Sequence, residues 1–136
     1  MKFFRGSRNQ ELSETQLGVA ELFVSTASNL GEVDFNYSEA SVDRLESFVD
    51  RLWDPQAPPS EAELDNLTKL MGAYLGEVMI RNVGGNWVLN DERRIPTIET
   101  PRGTAFVLDK VYKRQVMGPD ESLVEFYEAF KIRESD

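Results

Sequence analysis

The sequence predicts an α+β fold that is predominantly helical, with about five helices and a small antiparallel β-hairpin inserted after the third. Two observations carry this. Apolar residues recur at helical spacing through residues 12–29, 38–53, 60–82 and 120–134, and capping or breaking residues bound most of these runs. Two short runs, 87–89 and 95–99, flank the polar turn Asn90 to Arg94 and read as paired strands. Residues 11–134 form a single globular domain in this scheme, and residues 1–10 a flexible basic tail. A chain of 136 residues is a common domain size and can bury one core without disulfide or metal staples.

Each element has its own local signal. In the first helix Leu17, Ala20, Phe23, Val24 and Ala27 make an apolar stripe, Ser13 offers an N-cap and Gly31 a stop. Val33, Phe35 and Tyr37 alternate with polar residues, as in a short strand or extended connector. Ser38 or Ser41 can cap a second helix with the stripe Val42, Leu45, Phe48, Val49 and Leu52, which ends at Asp54-Pro55. Ser60-Glu61-Ala62-Glu63 is a capping box, and the third helix runs from it to about Asn82 before Gly84-Gly85. Pro96 suits a strand start or an edge. Residues 104–117 read as a helix, although Ala105 to Leu108 also fit a strand. Gly118-Pro119 breaks the chain, and Asp120 can cap a last helix with Leu123, Phe126, Tyr127 and Phe130 on its apolar face.

Composition excludes much chemistry. There is no Cys and no His, which removes disulfides, thiolate catalysis, a Ser-His-Asp triad and the usual zinc ligands. No catalytic residue, metal site or cofactor is therefore expected. Net charge is −9, unevenly placed: residues 11–65 carry 13 acids and two bases, giving −11, while residues 66–118 carry eight bases and five acids, giving +3. That balance is wrong for sequence-independent nucleic-acid binding. No apolar run approaches the ~20 residues of a membrane span. The expected setting is the cytoplasm, and the expected partner another protein of basic character.

The most distinctive stretch is 72–87. Gly72 and Gly76 stand four apart inside a helix, where each costs ~1 kcal/mol relative to alanine. They leave a smooth groove that either another element of the chain or a ligand can approach closely. Glu77 and Arg81 sit at i and i+4 in the favourable order, as a structural ion pair or as part of a site. Trp87 is a core anchor or a stacking platform, and Gly84 and Gly85 are structural. Lys110, Lys113 and Arg114 share a face of the fourth helix, preceded by Arg93, Arg94 and Arg102. This patch either holds an anion or acidic partner, or neutralises acidic helices of the same fold.

The motifs Leu75-Gly76-Glu77, Arg81, Gly84-Gly85-Asn86-Trp87, then Lys113-Arg114, Gly118, Asp120, Ser122-Leu123 and Phe126-Tyr127 resemble a family of small bacterial proteins with no assigned activity. Its pattern runs LGEv-x-R-x-x-GG-x-W, then KR-x-x-x-G-x-D-S-L-x-x-FY, and covers residues 70–130. Ile80 and Glu121 depart from it as extra residues, the first before Arg81 and the second between Asp120 and Ser122. The resemblance implies an α+β fold and a bacterial origin, and some relatives look like proteins found near toxin or secretion loci. The expected function is a non-catalytic protein-binding or regulatory module, with an immunity-type factor as one form of it. The alternative is a domain binding a small anion in a Gly72/Gly76 groove, with Glu77, Arg81, Trp87 and Lys113/Arg114 around it.

Overall fold

Helix α3 (Glu61–Asn82) is the centre of the molecule, and its sequence explains why. Every residue from Met71 to Met79 is buried. That stretch is apolar on all sides apart from Glu77, and such a helix has to be covered all round. Its start is the expected capping box: the Ser60 hydroxyl accepts the Glu63 N–H, and Glu63 Oε1 accepts the Ser60 N–H, both at 3.2 Å. The computed structural model describes residues 2–135, with side chains from residue 8 onward.

Helices α1 (Lys2–Asn29) and α4 (Val107–Met117) pack along α3. Helix α2 (Ala40–Leu52) packs against α3 and α5 (Leu123–Ser135), and α5 also reaches α4. Between α3 and α4 the chain forms an antiparallel sheet of β1 (Asn86–Leu89), β2 (Pro96–Thr100) and β3 (Gly103–Ala105), in that order. Trp87 pairs with Ile98 and Ile98 with Ala105, giving a buried row across its inner face. The fold is α+β and mostly helical, as the sequence predicts.

Aromatic packing closes the α1, α2 and α3 corner. Phe23 meets Phe35 and Phe48 edge to face at 5.0 and 5.7 Å, with Tyr74 beside them. The connector 33–37 is not a strand. It is pinned by Phe35 and by a hydrogen-bond chain: the Tyr37 N–H donates to the Tyr74 hydroxyl (3.0 Å), which donates to Ser41 Oγ (2.7 Å).

Several local expectations change. The backbone of Lys2 to Gln10, expected as a tail, continues α1, and Met1 lies outside the described residues. Once packing anchors residues 12–29, each added residue gains a hydrogen bond without a new nucleus. Ser13 is accordingly inside α1 and caps nothing. Gly31 does end it, at φ +90°, with Glu32 N–H donating to Ala27 O and Gly31 N–H to Ser28 O. Glu39, not Ser38 or Ser41, occupies the cap position of α2. The hairpin gains a third strand, because Pro101-Arg102 forms a tight turn that lets Thr100 pair with Gly103. Ser122 replaces Asp120 as the cap of α5, its Oγ accepting the Glu125 N–H at 3.1 Å.

Candidate functional site

The Gly72/Gly76 groove is filled by the chain itself. A Cβ on Gly76 would overlap Trp87 Cζ2 and Cη2, and one on Gly72 would stand 3.0 Å from Leu108 Cγ. Trp87 is 1% exposed and donates its Nε1–H to Glu77 Oε2 at 2.8 Å. The six-membered ring of the indole thus sits against α3 at Gly76, where no side chain intervenes, and the indole's single polar atom is satisfied by Glu77. Trp87 is a core anchor, and the groove offers a ligand no room: the occupant is intramolecular. Glu77 Oε1 also lies 3.7 Å from Arg81 Nε, and the Arg81 guanidinium lies 3.7 Å from the centroid of the Tyr37 ring. Arg81 therefore clamps the connector to α3. Gly84 (φ +136°) and Gly85 (φ +110°) make the turn into β1, and a Cβ on Gly85 would come within 2.7 Å of Ile98 Cγ2.

Arg114 leaves the proposed basic patch. It is 1% exposed, its Nε donates to Glu46 Oε2 at 2.6 Å and its Nη2 to Asp50 Oδ1 at 2.8 Å. The other oxygen of Glu46 accepts from Leu123 N–H (2.7 Å), Val124 N–H (3.2 Å) and Ser122 Oγ (3.0 Å). One carboxylate on α2 thus neutralises a buried guanidinium on α4 and caps α5. Both charges were visible in the sequence as intruders in apolar stripes: Glu46 among Val42, Leu45 and Val49, and Arg114 after Val107 and Val111.

Burial alone would raise the Glu46 carboxyl, but hydrogen bonds from Arg114, Val124, Ser122 and Leu123 outweigh it and hold the group below its usual value of 4.5. A carboxyl depressed by folding contributes stability above its unfolded value, and that contribution is lost as pH falls through the lower folded value. Urea midpoints measured from neutral pH down to about pH 3 should therefore drop with a steeper slope in wild type than in Glu46→Gln. Equal slopes would count against the assignment.

Arg93, Lys110 and Lys113 do come together, joined by Arg133, around a groove of about 420 Å³ between β3, α4 and α5. Asp109 and Glu121 share its rim. Arg93 holds Asp109, and Lys110 Nζ holds Glu121 Oε2 at 2.5 Å. The Lys110 hydrogen bond lowers the Glu121 carboxyl, and the Asp109 hydrogen bond raises Arg93. Arg94 and Arg102 are exposed and do not line this groove. No helix among the described residues is long and apolar enough to cross a membrane. Compared with protein-family models, with curated proteins and with solved structures, the chain matches none.

Proposed function

We propose that the chain is a non-catalytic binding module for another protein, and that this partner is basic. One observation carries the proposal. Residues 9–43 contain seven acids and no Lys or Arg. Arg51, Arg44 and Lys131 reach back to pair with Glu32, Asp34 and Glu39. Glu11, Glu14, Glu21 and Asp43 stay exposed and outside any ion pair among the described residues. The same segment holds Leu30 and Val33, the two most exposed large hydrophobics among the described residues, at 69% and 74%. Acids speed the encounter with an opposite charge, and exposed apolar side chains supply contact area. The resembling motifs and the absence of cysteine support a regulatory or immunity-type role in a bacterial cytoplasm.

Affinity capture with immobilised protein at low and high salt tests this. Wild type should retain a basic protein in a salt-sensitive way, and both Glu14→Lys/Glu21→Lys and Val33→Asp should weaken its binding by about tenfold or more. Unchanged capture by both variants, or capture indifferent to salt, contradicts the proposal.

A further inference from the structure

The groove between β3, α4 and α5 has a chemistry that the acidic docking surface does not share. Its lining contains four cations and two carboxylates, a net +2, on a chain whose net charge is −9. Both lining carboxylates are already engaged, Asp109 by Arg93 and Glu121 by Lys110. Arg133 Nε is engaged by Glu134 Oε2 at 2.8 Å, while its Nη2 is shielded from solvent without a hydrogen-bond partner among the described residues. Lys113 is exposed and forms no hydrogen bond or ion pair among those residues. With 24 acids in the chain, the fold nonetheless leaves net positive charge in this depression.

Two further features bear on what would fit there. Phe106, Asp109 and Lys110 at the start of α4 line the groove, and Phe106 at the cap position supplies no side-chain cap. The walls are aromatic: Phe106 is 36% exposed, Phe126 is half-buried, and the guanidinium carbons of Arg93 and Arg133 lie 5.8 and 5.3 Å from the Phe106 and Phe130 ring centroids. About 420 Å³ lies within the range of small-molecule sites, roughly 300–1,000 Å³.

We propose that this groove binds a small organic anion, its aromatic or aliphatic body against Phe106 and Phe126 and its carboxylate, sulfonate or phosphate at the Lys113 side of the rim. The site is separate from the α1 surface, so either can fail without the other.

Titration with the fluorescent aromatic anion anilinonaphthalene sulfonate tests it, with the uncharged parent phenylnaphthylamine as a second arm. The sulfonate should saturate a single site, the parent amine should bind at least about tenfold more weakly, and Lys113→Glu should weaken the sulfonate by about tenfold. If Lys113→Glu melts earlier than wild type, Lys113→Gln is read in its place, with a several-fold loss expected. Equal affinity for the two probes would mark a merely apolar surface and overturn the proposal. So would sulfonate binding that is absent, or unchanged by the Lys113 substitution.

Discussion

Glu46→Ala is expected to destabilise the protein by about 3 kcal/mol or more, measured by urea unfolding at neutral pH, because breaking a buried ion pair strands the remaining charge. Two losses coincide in this one substitution. Arg114, 1% exposed, keeps only Asp50, whose side chain is 59% exposed and well screened. The N–H groups of Leu123 and Val124 at the start of α5 lose their acceptor. For a domain with typical stability of about 5–15 kcal/mol, that is a large fraction. Asp50→Ala is the internal control: an exposed ion-pair partner contributes about 1 kcal/mol or less. If the two substitutions proved equally costly, Glu46 would not be the junction of α2, α4 and α5.

Gly76→Ala is expected to cost about 2–4 kcal/mol, although alanine is the better helix former by ~1 kcal/mol. The added methyl falls on the six-membered ring of Trp87, which is buried and tethered to Glu77, so the indole has to leave its seat. Gly72→Ala provides the contrast. Its methyl meets Leu108 Cγ and Cδ1 at 3.0 and 3.1 Å, and Leu108 also borders a surface groove with Tyr112 and Ile95, so it can move. The net change there should stay within about 1 kcal/mol in either direction. Two glycines with the same sequence signature are thus expected to differ severalfold in their response.

Much of the fold was legible because local and global signals agree. The Ser60 capping box, the Gly31 stop and the apolar stripes of α2 and α5 each specify an element that tertiary packing then accepts, apart from Leu52 at the end of α2, which is exposed. The paired glycines were legible as a demand for close approach, but their occupant was not. Trp87 lies eleven residues beyond Gly76, across a turn whose direction depends on the positive φ of Gly84 and Gly85. The strand Gly103–Ala105 was obscured because a three-residue strand has no periodicity of its own and gains its identity from Thr100 and Ile98 beside it. Arg114 was misplaced for a related reason. Its charge groups it with Lys110 and Lys113, yet its helical position falls beside Val107 and Val111, and its side chain turns toward Glu46 and Asp50, 68 and 64 residues away in sequence.

A double-mutant cycle between Gly76→Ala and Trp87→Leu bears most directly on the arrangement at the centre of α3. With the indole present, alanine at position 76 should be strongly destabilising. With leucine at position 87 the same change should be neutral or stabilising by about 1 kcal/mol, the helix propensity gain, for a coupling of about 2 kcal/mol or more. Equal destabilisation in the two backgrounds would show that the space over Gly76 is kept clear for something other than Trp87.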